Sequence, residues 1–255
     1  MVTVAKYEDT RQSLLRGLYS NGMLRTWFRD QADGWTLVSG LWSPFYLNLR
    51  DLCSFPELLR LAGALLADVV KAEIPEASRL VGIAFGGIPL AVATSLASDI
   101  PAAMTRKLPG VQTVDQMESE LGRWGQHSLV EGRFHEADTI VLVDDLVTRF
   151  DSKLIAFSQV AAEMRKRRID TFSCHDVAVV IDREQGAAAA ARANGFRLHA
   201  VLKFRSELPI LRGALDPLEY DVISRYLEDP APFQDRRVQA DLAREASPAA
   251  IPGSQ

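Results

Sequence analysis

The sequence predicts an α/β fold with a central, mainly parallel sheet flanked by helices. Short apolar segments alternate with helical patterns along most of the chain, which is typical of parallel sheets covered by helices. The run IVLV at 140–143 is apolar throughout, as expected for a strand that is buried on both faces. With 255 residues, of which 47% are hydrophobic, the chain is long enough for one large globular domain.

The first elements precede this alternation. Residues from about 7 to 31 carry leucines and aromatics near helical spacing and are predicted to be a helix. Residues 39–52 mix Gly, Ser and Pro with aromatics, which suits a turn and a short strand. Ser54 is a candidate cap and Pro56 a first-turn residue of a helix that runs to about Lys71.

The following elements form the predicted sheet and its helices. Strands are expected at 79–84, 101–105, 139–145, 175–182 and 196–204. Helices are expected at 86–99, 152–168 and 184–195, with closing helices after residue 206. The prediction is one domain over residues 1–228 and a flexible tail at 229–255, which is rich in Pro, Ala and Arg.

Composition excludes several classes of protein. A formal net charge of -4 argues against broad nucleic-acid binding. The chain has no apolar run of the length that a membrane span needs, and its first residues lack the pattern of a secretory signal. Two cysteines, Cys53 and Cys174, are too few for a disulfide framework or a zinc site. We therefore expect a cytoplasmic protein without a nucleic-acid or membrane partner.

The first strand end that carries chemistry is the turn containing Gly86 and Gly87. Paired glycines between a strand and a helix allow backbone N–H groups to face an anion near the helix N-terminus. A tight connection between strand and helix explains the same two residues equally well.

The second is the pair Asp144 and Asp145, which follows the apolar run. Adjacent strand residues point to opposite faces, so the two carboxylates are not expected to share a proton. Accepting hydrogen bonds from sugar hydroxyls, directly or through Mg²⁺, is a better use for them. The alternative is a solvated strand end with a capping aspartate.

The third is Arg183, which follows the strand at 175–182. An arginine at a strand end can make a two-pronged contact with a carboxylate or carbonyl ligand. Taken alone, this segment favours a salt bridge between Arg183 and its acidic neighbours.

Together these segments resemble the orotate phosphoribosyltransferases, a branch of the type I phosphoribosyltransferases. The resemblance runs from roughly 39 to 205 and is carried, in order, by SGLWSPFYLNLRDLCSFPELL, VGIAFGGIPLA, MTRK, LVEGRF, TIVLVDDLVT and VVIDREQG. It implies the type I phosphoribosyltransferase fold with a small N-terminal hood over about residues 1–50. It also implies transfer of ribose 5-phosphate from phosphoribosyl pyrophosphate to orotate or a related base, in pyrimidine nucleotide synthesis, by a homodimer.

The same resemblance implies roles for individual residues. Asp144, Asp145 and Lys107 would be catalytic, with the two aspartates on the ribose hydroxyls. Mg²⁺ would be the cofactor, held through the substrate near these aspartates and not by direct protein ligands. The implied substrate-binding residues are Phe45 and Tyr46 for the base, Phe85, Gly86, Gly87 and Arg106 for pyrophosphate, Thr148 and Ser152 for the 5-phosphate, and Arg183 for orotate.

The 5-phosphate loop departs from the family pattern. Where the family has Thr-Thr-Gly-Gly-Ser, this chain has TRFDS at 148–152, so both glycines are absent. Phe150 would add bulk, and Asp151 would place a negative charge beside a dianion unless it only caps the next helix. Arg149 could compensate by binding a phosphate itself. The segment at 108–132, which corresponds to the family's mobile loop, is Lys-free.

These departures keep two further readings open. One is a catalytically impaired binding or regulatory protein with the same fold, and the other is an enzyme with an altered donor or acceptor. The N-terminal helix and the segment WSPFYL at 42–47 are candidates for a dimer interface, or they cover the core of a single subunit.

Overall fold

The structure is a computed structural model that describes residues 4–37, 40–111, 113–117 and 127–246. Its helices are α1 (Val4–Ser20), α2 (Pro56–Glu73), α3 (Gly87–Ser98), α4 (Asp151–Arg167), α5 (Ala187–Ala193), α6 (Phe204–Glu207), α7 (Pro217–Glu228) and α8 (Arg236–Glu245). Its strands are β1 (Leu24–Thr26), β2 (Trp35–Thr36), β3 (Trp42–Ser43), β4 (Phe45–Leu47), β5 (Arg79–Gly82), β6 (Ala102–Thr105), β7 (Val130–Glu131), β8 (Asp138–Val147), β9 (Phe172–Asp182) and β10 (Arg197–Lys203). Short 3-10 helices span Leu49–Ser54, Leu208–Leu211 and Pro232–Gln234.

The chain forms two compact units. The first combines Met1–Asp51 with Arg205–Gln255, and the second is the continuous stretch Leu52–Phe204. In the first unit, β1 pairs with β4 and β2 with β3, both antiparallel. The predicted helix over 7–31 is too long, because α1 ends at Ser20 and Gly22 follows with a φ of 71°. A positive φ stops helical propagation and is readily adopted by glycine.

The segment after residue 229 is ordered as far as it is described. Pro232–Gln234 forms a 3-10 helix and α8 follows it, with Phe233 and Leu242 buried. The indole N–H of Trp27 donates to the carbonyl oxygen of Leu242 at 3.1 Å. The prediction of a flexible tail is therefore wrong for residues 229–246, and residues 247–255 lie outside the described part of the chain.

The second unit contains the predicted parallel sheet. Its strand order is β10-β9-β8-β5-β6-β7, and every pair is parallel except β6 with β7. β8 and β9 are buried along most of their length, as their apolar runs indicate. The predicted fold class, a central and mainly parallel sheet flanked by helices, is confirmed.

The helices of the second unit begin and pack for identifiable reasons. The N-cap of α2 is Phe55, without a side-chain hydrogen bond, so Ser54 is not the cap, while Pro56 begins the helix as predicted. Gly63 lets α2 approach α3, since a Cβ there would lie 2.5 Å from the Cβ of Ala93. α4 contributes Val160 to the same buried cluster as Val177 of β9.

Candidate active site

The candidate site lies at the edge of the six-stranded sheet where β5, β8 and β9 end. The register places Gly82 beside Val143 and Val147 beside Asp182. The ends of these parallel strands therefore share one edge, where ligands bind in open α/β sheets. The residues that were predicted from the sequence and that lie at this edge or in its adjoining turns are Phe85, Gly86, Gly87, Arg106, Lys107, Asp144, Asp145, Thr148, Arg149, Ser152 and Arg183.

The glycine turn after β5 presses directly against β8. A Cβ on Gly87 would lie 2.1 Å from the carbonyl oxygen of Val143, and a Cβ on Gly86 would lie 2.3 Å from Oδ2 of Asp145. Real side chains do not tolerate either distance. Close approach to β8 therefore requires glycine at 87, where the opposing atom is backbone, while at 86 a Cβ would displace the Asp145 side chain. The same approach brings the turn against the Asp145 carboxylate.

Two hydrogen bonds and an exposed ring complete this turn. The N–H of Ile83 donates to the carbonyl oxygen of Val143 at 2.9 Å, and the N–H of Ala84 donates to Oγ1 of Thr105 at 3.0 Å. The Ala84–Phe85 peptide bond is cis. Phe85 is 66% exposed, so its ring stands clear of the core, at a position where a ligand can reach it.

Asp144 is buried and fully engaged within the chain. Its side chain accepts a hydrogen bond from Nζ of Lys153 on Oδ2 at 2.9 Å and one from the N–H of Asp145 on Oδ1 at 2.9 Å. Only 7% of the residue is exposed. Both carboxylate oxygens therefore have a partner inside the protein, unlike the open strand end that the sequence indicates for this residue.

Asp145 is half-buried and less well compensated. Its Oδ1 accepts from the N–H of Leu146 at 2.7 Å. Burial, and next the negative charge of Asp144, raise the pKa of Asp145 to about 7, against the opposing effect of Lys153. The ionisation of Asp145 is therefore moved toward neutral pH.

The loop at 148–152 forms without glycine. Phe150 adopts a right-handed helical conformation, with a φ of -102°, which any residue can take. Its ring is 2% exposed and packs 5.4 Å from the ring of Phe196. The expectation that Phe150 adds bulk to a phosphate site is corrected, because the ring points into the core.

The remaining residues of this loop face outward. Arg149, Asp151 and Ser152 are exposed and Thr148 is half-buried. α4 begins at Asp151, and its N-cap residue makes no side-chain hydrogen bond. The first backbone N–H groups of a helix lack partners within the helix, so this end suits an anion, although Asp151 adds a like charge there.

Arg106 and Lys107 follow β6 and are exposed. The Arg106 guanidinium donates to Oε1 of Glu131 at 2.8 Å, and the carbonyl oxygen of Arg106 accepts from Nε2 of Gln159 on α4 at 2.8 Å. The segment that leads into the predicted mobile loop is thus held against β7 and α4. Within the 108–132 loop, residues 112 and 118–126 lie outside the described part of the chain.

Arg183 follows β9 and is enclosed. It is 5% exposed, and its N–H donates to the carbonyl oxygen of Val147 at 3.1 Å. Burial also raises the pKa of the neighbouring Asp182. Little of the Arg183 side chain is available to a ligand in this structure, in contrast to the exposed cations Arg106, Lys107 and Arg149.

The two residues predicted to line the base belong to the first unit. Phe45 has no exposed surface and its ring meets that of Tyr226 edge-to-face at 5.8 Å, as a core residue does. Tyr46 is half-buried, stacks on Trp35 and accepts from Arg50 through its hydroxyl oxygen. Only Tyr46 of the two therefore offers surface to a ligand.

The sequence reasoning missed Lys153. This residue is 3% exposed and lies on the buried face of α4, together with Ala156 and Val160. A lysine at helical spacing with apolar residues was the available signal, because a buried ammonium group requires a charged or strongly polar partner. Its partner, Asp144, lies nine residues earlier in the chain.

Two negative observations concern the described ranges. No three His, Cys, Asp or Glu side chains within them converge as a metal-binding group. None of the helices seen there combines the length and apolar character needed to cross a membrane.

Comparison with known proteins places these features in a family. The chain is 30% identical over 167 residues to an orotate phosphoribosyltransferase from Thermococcus gammatolerans, covering 66% of this chain and 78% of that protein. It is also 30% identical over 177 residues to a bifunctional enzyme PyrF/PyrE from Nostoc sp., covering 69% of this chain. Because the match covers 33% of the Nostoc enzyme, the chain corresponds to about a third of that protein.

Solved structures agree on the fold. An orotate phosphoribosyltransferase from Aeropyrum pernix superposes with a TM-score of 0.57 at 24% identity, covering 79% of this chain and 97% of that one. The chain matches no protein-family model.

Proposed function

Because the chain belongs to the orotate phosphoribosyltransferase family, we propose that it transfers ribose 5-phosphate from phosphoribosyl pyrophosphate to orotate or a related acidic base. A nitrogen of the base forms a bond to ribose C1 while the bond from C1 to the pyrophosphate oxygen breaks. The observation that carries the proposal is the contact between the glycine turn and β8, which brings Gly86 against the Asp145 carboxylate at one sheet edge.

The chemistry that we assign to this edge is electrostatic. The ribose develops oxocarbenium character as pyrophosphate leaves, and the pyrophosphate gathers negative charge. Exposed Arg106 and Lys107 supply cations for the leaving group, and the turn at Gly86 and Gly87 supplies backbone N–H groups. Asp145 accepts hydrogen bonds from the ribose hydroxyls when it is ionised.

Mg²⁺ is part of the proposal as a cofactor carried by the substrate. The described residues fit this mode, because Asp145 is the carboxylate of the pair that keeps an oxygen toward the turn. When bound, the ion would neutralise pyrophosphate oxygens, since Mg²⁺ usually keeps water ligands and binds through one or two carboxylates and substrate phosphates.

The 5-phosphate is assigned to the loop at 148–152. The uncapped first turn of α4, Ser152 and exposed Arg149 support an anion there. Asp151 favours a second candidate, an enzyme whose donor lacks a 5-phosphate dianion, because its charge disfavours one at this end. Binding of ribose 5-phosphate compared with unphosphorylated ribose separates the two candidates.

The direct test is turnover. Purified protein, orotate, phosphoribosyl pyrophosphate and Mg²⁺ should lose orotate absorbance, and Asp145→Asn should lower kcat/KM by about a hundredfold, as removal of one transition-state contact does. Gly213→Ala is a matched control, because a Cβ at Gly213 meets nothing within 4 Å. Absence of turnover in a folded sample at high enzyme concentration would refute the orotate activity.

We also propose a homodimer, through a different surface from the one the sequence suggested. Trp42, Phe45 and the α1 leucines are buried in the first unit and do not form a free apolar face. Val92 and Leu96, one turn apart on α3, are 44% and 82% exposed. Light scattering of wild type and Leu96→Glu tests this: the variant should be monomeric.

The cytoplasmic location stays a prediction from the sequence.

A further inference from the structure

We propose that Lys153 is a positioning residue of the donor site. Its ammonium group binds the carboxylate of Asp144 and links Leu146 to Ser152 across the loop at 148–152. Asp145 is therefore the carboxylate of the pair that meets the ribose hydroxyls. The inference rests on the proposed function and deepens it, because it gives two adjacent aspartates different tasks.

The contacts of Lys153 account for all of its donors. Nζ donates to Oδ2 of Asp144 at 2.9 Å, to the carbonyl oxygen of Leu146 at 2.8 Å and to Oγ of Ser152 at 3.2 Å. An ammonium group has three N–H donors. With 3% of the residue exposed, Lys153 acts on the protein and not on a ligand.

The two aspartates differ in how much of their carboxylate remains accessible to a ligand. Asp144 is 7% exposed, with one oxygen on Lys153 and the other on the N–H of Asp145. Asp145 is half-buried, and its Oδ2 lies beside the glycine turn, 2.3 Å from where a Cβ of Gly86 would be. A sugar hydroxyl that approaches this edge therefore meets Asp145 before Asp144.

The same ammonium group shapes the loop. Leu146 precedes the glycine-free segment at 148–152 and Ser152 is its last residue, and Lys153 contacts both. Fixing both ends lowers the conformational freedom that a ligand would otherwise have to remove. A loop without glycine can in this way present one conformation, with Arg149 and the start of α4 in a fixed relation to Asp145.

Calorimetric titration with ribose 5-phosphate tests the assignment, because it requires no turnover. At pH 8, where Asp145 is ionised, Asp145→Asn should weaken binding by about tenfold to a hundredfold, the effect of losing a charged hydrogen-bond acceptor. Asp144→Asn and Lys153→Met should each weaken it by only a few-fold, on the order of a small change in preorganisation. The double variant should bind no more weakly than the worse single variant, because both act through one contact.

Two controls separate positioning from loss of fold. Lys153→Arg keeps a cation with several donors and should recover most of the binding, whereas Lys71→Met changes an exposed lysine of α2 and should change nothing. If Lys153→Met unfolds, the double variant with Asp144→Asn still tests the proposal, since it leaves no lone buried charge. Thermal unfolding shows which variants are folded at the temperature of the titration.

The outcomes are distinguishable. The assignment is overturned if Asp144→Asn is as damaging as Asp145→Asn, if the single effects add in the double variant, or if the wild type does not bind ribose 5-phosphate. If the wild type binds it and the variants rank as expected, but orotate is not consumed with phosphoribosyl pyrophosphate, the proposed function fails and the role of Lys153 stands.

Discussion

Two clusters of carboxylates in the second unit lie toward opposite ends of its strands. Asp176 of β9 lies beside Arg197, the first residue of β10, and is 1% exposed. Its carboxylate accepts hydrogen bonds from Nε and Nη2 of Arg197, both at 2.7 Å. It also contacts Nε2 of His199 at 2.8 Å, and the other ring nitrogen of His199 lies 2.5 Å from Glu73. Every oxygen of Asp176 is therefore matched by a donor.

At the other end, the adjacent aspartates Asp144 and Asp145 lie near one cation, Lys153. Lys153 bonds to Asp144, and Asp145 keeps a single backbone donor on Oδ1. Burial, and next the negative charge of Asp144, raise the pKa of Asp145 to about 7. The difference is that the fold compensates Asp176 with donors, whereas burial of Asp145 carries an electrostatic cost that a ligand could relieve, which supports the role that we propose for Asp145.

The largest effect is expected at the contact that builds the second cluster. Gly87→Ala would place a Cβ 2.1 Å from the carbonyl oxygen of Val143, so backbone must move. We expect a loss of about 4 kcal/mol or more in the free energy of unfolding, measured by urea denaturation. Gly213→Ala should lie within about 0.5 kcal/mol of wild type. An equally stable Gly87→Ala would show that the turn does not depend on this close approach.

The cluster around Asp176 should affect the stability of the protein and not ligand binding. Asp176→Asn removes a charged acceptor from Arg197 and His199, and should lower the free energy of unfolding by about 2–3 kcal/mol. Binding of ribose 5-phosphate should stay unchanged at a temperature where the variant is folded. Weaker binding would mean that the two ends of the sheet are not independent, which would break the comparison.

Asp145→Asn should raise the free energy of unfolding at alkaline pH, whereas the two preceding substitutions lower it. The folded protein holds a proton on Asp145 up to about pH 7, whereas the unfolded chain releases it near 3.8, so wild-type stability falls between these values. The asparagine variant escapes this loss and should be more stable at pH 8 by on the order of 2 kcal/mol, with little difference at pH 3. Denaturation curves at both pH values decide the sign.

The same titration should appear in binding. Ribose hydroxyls need an acceptor, so affinity for ribose 5-phosphate should rise with pH as Asp145 ionises, through about pH 7. The 5-phosphate also titrates in this range. The rise must therefore be read as the difference between wild type and Asp145→Asn, and identical pH profiles for the two would exclude a role for Asp145.

The smallest effect is expected at the start of α4. Asp151 is exposed in the first helical turn, where a negative charge is favourable. Asp151→Asn should cost about 0.5 kcal/mol of stability while strengthening ribose 5-phosphate binding by about fivefold, because a like charge is removed. Unchanged binding would place the phosphate elsewhere, and Ser158→Ala on the same helix provides a control.

The parts of the fold that could be predicted are those set by local pattern. The apolar runs at 139–145 and 175–182 became β8 and β9, and the glycine turn at 86–87 introduced α3 as expected. Alternation of strands and helices was sufficient for the sheet, because parallel strands need crossover connections. Helix ends depended on single residues, and α1 stopped at a glycine that the periodic pattern overlooked.

What could not be predicted depends on contacts between distant residues. The neighbouring sequence does not indicate that the Phe150 ring packs against Phe196. From its place in the loop, Phe150 was therefore expected to add bulk at the phosphate site. The two aspartates have the same chemistry in the sequence and differ only because Lys153 reaches one of them. Phe45 likewise belongs to a core that includes Tyr226, far along the chain. Such distinctions require tertiary structure.

The composition of the first unit has a consequence for the order of folding during synthesis. This unit combines Met1–Asp51 with Arg205–Gln255, and the indole of Trp27 is hydrogen-bonded to the carbonyl oxygen of Leu242. The ribosome must therefore add more than two hundred residues after Trp27 before that hydrogen bond can form, while the continuous stretch Leu52–Phe204 is already complete. Nascent chains stalled shortly before residue 242 should expose the indole of Trp27 to quenchers, and chains released after it should protect that ring.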